Sequence, residues 1–154
     1  MNRRAVWILL VCLPLLLSGC GGPAPDAGRR QPLEDILAAA LPDWDGLLPY
    51  PQEELYDLMD LDPEDYTECA YRVSADGLSA REAIALRAVD GNAAGRIADA
   101  LNAYLNHRRK ETRDYLPEAY QWLSAAQVQR RGDTVALIVG ENAAAQARAV
   151  LAGE

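Results

Sequence analysis

The segment Tyr66–Gly91, YTECAYRVSADGLSAREAIALRAVDG, decides which fold the chain adopts. Its first part alternates in character from residue to residue, as a strand with one buried face does. The face expected to be buried consists of Thr67, Cys69, Tyr71 and Val73. Cys69 is therefore expected to be a small core residue, because an unpaired cysteine on an apolar strand face behaves as a hydrophobe.

The second part of this segment, LSAREAIALRAV, carries two conflicting signals. Ser79 and Glu82 have the spacing of a helix capping box, and strong helix formers follow them. Yet Ile84, Leu86 and Ala88 alternate with smaller or polar residues, and DGN follows as a turn. Local propensity favours a helix here, and a strand remains the alternative.

The rest of the carboxyl-terminal half is easier to interpret. Residues 93–114 are predicted to form a helix, because one stripe at helical spacing contains Ile97, Leu101, Tyr104, Leu105 and Arg108. The sequence AQVQRRGDTVALIVG predicts a hairpin around Gly132 and Asp133. An alanine-rich helix with Ala143, Ala147 and Leu151 on one face is predicted to end the chain.

On the amino-terminal side, two short helices are predicted, at residues 33–41 and in PQEELYDLMDL from Pro51. The segment DWDGLLPY between them is expected to be irregular. Its aromatic residues Trp44 and Tyr50 are the first candidates for a binding surface, because binding residues are frequent on loops. The alternative, which we favour for most aromatics of this chain, is that they close the edges of the core.

The start of the chain predicts its location. Arg3 and Arg4 precede a short apolar run, AVWILLVCLPLLL, which is the layout of a secretory signal peptide. The run is shorter than the roughly 20 apolar residues that a membrane-spanning helix needs. Leu17, Ser18 and Gly19 before Cys20 resemble a bacterial lipobox, in which the cysteine is linked to diacylglycerol and becomes the new amino terminus.

We therefore expect three parts: a signal peptide at 1–19, a lipidated Cys20 with a flexible tether at 20–31, and one domain at 32–154. The predicted partner at Cys20 is the membrane itself, at its extracytoplasmic face. Loss of residues 1–19 leaves 13 basic and 23 acidic side chains, a net charge of −10. This balance argues against a nucleic-acid partner, because such proteins carry a basic footprint.

Four ordered segments resemble a family of small bacterial lipoproteins that carry a domain of unknown function (DUF4358-like). The segments are ELYDLMDLDPEDYTECAYRVS, AREAIALRAVDG, IADALNAYLNHRRKETRDYLPEAYQWLSAAQV and GDTVALIVGENAAAQARAV. The resemblance implies a strand at 81–89 and an α+β fold. In that fold a β-β-α-β-β-α antiparallel sheet is covered by helices and preceded by one or two short helices. It implies no established activity.

No catalytic residues are predicted. His107 is the only histidine, it falls on the flank of its helix, and no serine lies in a nucleophile-elbow motif. The acids of DLDPED do not complete a calcium loop, because Asp65 and Tyr71 occupy the positions that need glycine and glutamate. Asp62 is instead expected to cap the turn at Pro63. The sequence thus predicts no metal site and no cofactor.

The leading functional hypothesis is a non-catalytic, lipid-anchored extracytoplasmic module that binds an unknown envelope protein or ligand. Two alternatives remain open: a small-solute-binding accessory lipoprotein, and an uncharacterised hydrolase that uses Cys69 or His107.

Overall fold

The computed structural model describes residues 30–76 and 79–153 of the chain. Its helices are α1 Leu33–Ala40, α2 Leu55–Met59, α3 Gly91–Thr112, α4 Pro117–Ala125 and α5 Ala143–Ala152. Its strands are β1 Leu47–Pro49, β2 Tyr66–Ser74, β3 Glu82–Ala88, β4 Val128–Arg131 and β5 Thr134–Val139. The predicted signal peptide, the predicted lipobox with Cys20, and the predicted tether up to residue 29 lie outside the described residues.

The five strands form one antiparallel sheet in the order β1-β2-β3-β5-β4, which confirms the α+β class. The core order β-β-α-β-β-α is as expected, with α4 added between α3 and β4. Two short helices precede it, which also agrees with the expectation. The segment DWDGLLPY is not wholly irregular, because Leu47–Pro49 pairs with β2 as a short edge strand.

The local preference for a helix at residues 79–88 is wrong, and the strand implied by the family resemblance is confirmed. Residues 82–88 form β3, which is paired with β2 on one edge and with β5 on the other. The cap at Ser79 belongs to a turn, where the Ser79 hydroxyl accepts a hydrogen bond from the Arg81 amide at 3.2 Å. Tertiary burial on both faces overrides the helix propensity of alanine here.

The sheet divides the core into two layers. The larger side chains of β3, Ile84 and Leu86, point towards α3, where they pack with Ile97 and Leu101. The opposite face of the sheet is covered by α1 and α5. Because successive side chains of β3 point to opposite faces of the sheet, its large residues face α3 and its small residues face α1 and α5.

A row of alanines crosses the α1 and α5 face of the sheet. Ala70 on β2, Ala85 on β3 and Ala136 on β5 are consecutive register partners, and all three are buried. Small side chains let the helices lie close to the strands, and α5 contributes Ala143 and Ala147 to the same layer. The alanines that weaken the strand signal are therefore what this packing needs.

Helix α3 spans Gly91–Thr112, so it begins and ends two residues before the predicted range 93–114. The Asp90 carboxylate accepts a hydrogen bond from the Ala93 amide at 2.8 Å, which caps the first turn. The side chains at 97, 101, 104 and 105 are buried against the sheet, as the stripe predicts. Within residues 30–76 and 79–153, the helices are all too short or too polar to cross a membrane.

Replacing Ala85 by leucine tests the alanine row. Overpacking of a tight core costs about 1–3 kcal/mol, so Ala85→Leu should lower the free energy of unfolding by that amount. Ala39→Leu, on the exposed face of α1, is the matched control and should change it by less than about 0.5 kcal/mol. Urea unfolding followed by circular dichroism measures both; equal stability of the two variants would contradict the packing described.

Candidate functional site

The start of β3 places a carboxylate inside the protein. Glu82 lies on the same strand face as Ile84 and Leu86, towards α3, and only 2% of the residue is exposed. Its neighbours across this layer are Tyr71 on β2 and the α3 residues Tyr104 and Arg108. We call Glu82, Tyr71, Tyr104 and Arg108 the Glu82 cluster.

Within the Glu82 cluster, all the hydrogen bonds to Glu82 go to one of its two carboxylate oxygens. The Oε2 atom of Glu82 accepts from the Tyr104 hydroxyl at 2.7 Å, from the Tyr71 hydroxyl at 3.0 Å and from Arg108 Nη1 at 3.2 Å. Arg108 Nη1 also donates to the Tyr104 hydroxyl at 2.6 Å. The Oε1 atom is buried and has no hydrogen-bond partner among the described residues. An unsatisfied buried acceptor costs about 1–3 kcal/mol, so this oxygen is a candidate ligand contact.

Burial controls the acidities in this cluster. Desolvation raises the pKa of Glu82, while Arg108 and the two tyrosine hydroxyls oppose that rise without cancelling it. Desolvation, together with the negative charge of Glu82, also raises the pKa values of Tyr71 and Tyr104. Both tyrosines therefore stay protonated and serve as hydrogen-bond donors.

A cleft of about 250 Å³ opens beside the Glu82 cluster. All four residues of the cluster line it, together with Arg81, two serines and an apolar wall of Tyr50, Leu58 and Val73. Two further hollows meet the cleft: one shares Ser79 and Ala80 with it, and the other shares Arg81. The three hollows therefore surround the start of β3, at one end of the sheet.

The two predicted binding aromatics lie on different sides of this region. Tyr50 lines the cleft, where its ring centroid is 5.0 Å from that of Tyr71 and its hydroxyl donates to Glu54 at 2.9 Å. Trp44 lines the neighbouring hollow that contains Arg81. A Cβ atom at Gly140 would lie 2.7 Å from the Trp44 ring, so the indole packs directly on that glycine. A role of Trp44 and Tyr50 in binding stays a prediction.

The other residues considered from the sequence are dispersed. Cys69 is buried as predicted, and burial raises the pKa of its thiol to about 12, so it is a neutral thiol at physiological pH. The His107 side chain is 70% exposed on the flank of α3, 3.2 Å from Glu111. Asp62 caps its turn by accepting from the Glu64 amide at 2.9 Å. In the part of the chain that the structure describes, no group of three or more potential ligand side chains could hold a metal ion.

Sequence reasoning missed the Glu82 cluster, although two signals for it were present. Glu82 was interpreted as half of a capping box, which hid its place on the apolar face of a strand. Arg108 continues the buried stripe of α3, so a charge at that position indicates a buried partner. Together, an acid on a strand's core face and a base on a helix's core stripe predict an internal ion pair.

The raised pKa of Glu82 has a consequence for stability. Between the ordinary value of 4.5 and the raised value in the folded protein, the folded state binds more protons than the unfolded state. The free energy of unfolding of the natural chain should therefore fall relative to that of Glu82→Gln as pH rises above about 4.5. Urea titrations of both chains from pH 4 to 8 measure this difference.

Asp65 provides a control of opposite sign. Its hydrogen bond to Arg96 lowers its pKa, so this carboxylate stabilises the fold above its ordinary pKa and loses that effect as pH falls. Asp65→Asn should therefore approach the natural chain in stability at low pH. A Glu82→Gln difference that stays constant with pH would show that the Glu82 pKa is not raised.

Comparison with known proteins places the site within a family. The model of a domain of unknown function (DUF4358) matches residues 46–140, from the glycine before β1 to the residue after β5. The match includes every member of the Glu82 cluster. Searches of curated proteins and of solved structures found no match. The chain therefore belongs to the family of proteins that carry the DUF4358 domain.

Proposed function

We propose that the chain is a non-catalytic binding module, held at the extracytoplasmic face of the membrane by a lipid on Cys20, that takes up a small ligand in the cleft beside Glu82. The observation that carries the proposal is that the Oε1 atom of Glu82, a residue that lines the cleft, is buried and has no hydrogen-bond partner in the described part of the chain. The lipobox before Cys20 supports the anchored location.

Binding is favoured over hydrolysis because the candidate nucleophiles and the histidine are far from a shared site. Cys69 packs in the core beneath α3, whereas His107 faces solvent. Among the described residues, no hydrogen bond joins His107 to a serine or to Cys69, and Ser74 donates to Asp76 instead. Hydrolysis by a Ser-His or Cys-His set needs such a contact.

The position of the cleft fits a tethered module. The described chain starts at Arg30, whose guanidinium contacts Asp133 at 2.6 Å in the β4–β5 turn. This turn is at the end of the sheet where Arg87 pairs with Thr134, whereas Glu82 is at the other end. At about 3.3 Å per residue, the length of β3 separates the two ends by roughly 20 Å. The cleft therefore lies at the end of the sheet opposite the residue at which the predicted tether meets the domain.

A partner protein is the second candidate, and one surface favours it. The hollow next to Ser79 and Ala80 is lined by Leu116, Pro117 and Trp122, and has a volume of about 400 Å³. Tyr115 beside it is 83% exposed. An exposed apolar patch of this kind suits an apolar side chain of a partner.

The anchor is tested by fractionation of cells. Cys20→Ser should move the chain from the membrane fraction to the soluble extracytoplasmic or secreted fraction, because the lipid supplies the membrane affinity. Cys69→Ser, the matched control, should leave the chain in the membrane fraction. Membrane retention of Cys20→Ser would contradict lipid anchoring at this residue.

The binding role is tested with a panel of polar solutes, comprising amino acids, sugars, nucleosides and small dicarboxylates. A ligand of the folded state raises the melting temperature by mass action, so at least one class should stabilise the full chain in detergent micelles. Arg81→Gln, in the cleft, should reduce that shift. Arg113→Gln, on the exposed end of α3, should preserve it.

Binding in this cleft would be contradicted if every solute changed the melting temperature of the natural chain and of Arg81→Gln by the same amount.

A further inference from the structure

Two arginines whose side chains have unused donors, Arg81 and Arg108, line the cleft beside Glu82. Arg81 has no side-chain hydrogen bond or ion pair with another described residue. Arg108 uses only Nη1 in the Glu82 cluster, so its Nε and Nη2 lack partners in the described part of the chain. Guanidinium groups bind carboxylates through paired N–H donors, which makes this wall of the cleft suited to a carboxylate.

Whereas the two arginines need a hydrogen-bond acceptor on the ligand, Glu82 needs a hydrogen-bond donor. Its Oε1 atom needs a donor, and the tyrosine hydroxyls and Arg108 already converge on Oε2. Protonation of Glu82 does not remove the need, because a proton on Oε1 would itself lack an acceptor among the described residues. The ligand must therefore carry a polar N–H or O–H group close to its carboxylate.

The remaining lining consists of an apolar wall, Ala80 and two serines, Ser74 and Ser79. Tyr50, Leu58 and Val73 form a wall, and the ring of Tyr50 is held by its hydroxyl contact to Glu54. Such a wall favours a hydrocarbon substituent over a third charged group. Arg81 also lines the neighbouring hollow, together with Asp43 and Glu141. Neither carboxylate forms an ion pair with Arg81.

We propose that the ligand is a free α-amino acid with an apolar side chain, of about the size of leucine. Its carboxylate accepts hydrogen bonds from Arg81 and Arg108, its ammonium group donates to Glu82 Oε1, and its side chain packs on Tyr50, Leu58 and Val73. This inference rests on the proposed binding function of the same cleft and adds the chemical class of the ligand.

Three compounds test this class of ligand, because each of two analogues lacks one charged group of leucine. L-leucine carries both charges, 4-methylpentanoate lacks the ammonium group, and L-leucinamide lacks the carboxylate. Titration calorimetry of the full chain in detergent micelles should detect leucine, with each analogue binding at least about tenfold more weakly, because a charge left without its partner in a desolvated site is costly.

Variants of the chain assign each contact. Arg81→Gln should weaken leucine binding at least about tenfold and leave the already weak binding of leucinamide unchanged, because leucinamide lacks the carboxylate that Arg81 contacts. Glu82→Gln should likewise weaken leucine but not 4-methylpentanoate. Arg113→Gln is the control and should bind leucine as the natural chain does. If Glu82→Gln does not fold, Arg81→Gln still tests the proposal, since the Arg81 side chain makes no hydrogen bond or ion pair with another described residue.

The amino-acid class is overturned if leucine does not bind, or if either analogue binds as tightly as leucine. If 4-methylpentanoate or a sugar binds instead and Arg81→Gln weakens it, the binding function stands and only the ligand class is wrong. If no probe and no solute of the wider panel depends on Arg81 or Glu82, the binding function fails as well.

Discussion

Burial of β3 on both faces is the constraint on which the rest of the structure depends. The strand is paired on both edges and covered by α3 on one face and by α1 and α5 on the other. Its residues must therefore be large on one face and small on the other. Ile84 and Leu86 satisfy the first requirement, and Ala83 and Ala85 satisfy the second. On the small-residue face, Ala70 of β2 and Ala136 of β5 lie directly beside Ala85.

The same burial creates the candidate site. Glu82 is the first residue of β3 and lies on its large-residue face, so the strand carries the carboxylate under α3. Burying a charged group is unfavourable unless it is paired, and Arg108 with the two tyrosines supplies partners for one oxygen. The arrangement leaves the second oxygen buried and without a hydrogen-bond partner among the described residues, in a side chain whose residue lines the cleft. A site that is incomplete in this way is stabilised by a ligand that completes it.

Much of the fold is predictable from the sequence because its signals are local. The stripe of α3 and the turn at Gly132 each depend on neighbouring residues, and the structure confirms them. The alanine-rich strand was mispredicted by local propensity, because what selects a strand there is the approach of α1 and α5. Only the resemblance to a family carried that long-range information.

The site was harder to predict for the same physical reason. The residues of the Glu82 cluster come from β2, β3 and α3, and their convergence depends on the strand assignment of Glu82. Once that residue is assigned to a helix cap, Arg108 becomes one more cation near a helix end. Trp44 and Tyr50 were identified because they stand out in a loop, and only Tyr50 lines the cleft.

Glu82 is proposed to complete its hydrogen bonding with a small ligand. Native mass spectrometry of the full chain, extracted gently from membranes of cells that received no added ligand, tests this claim most directly. We expect a small non-covalent adduct on the natural chain that is absent from a folded Glu82→Gln variant. A natural chain without any adduct, or the same adduct on both proteins, would contradict it.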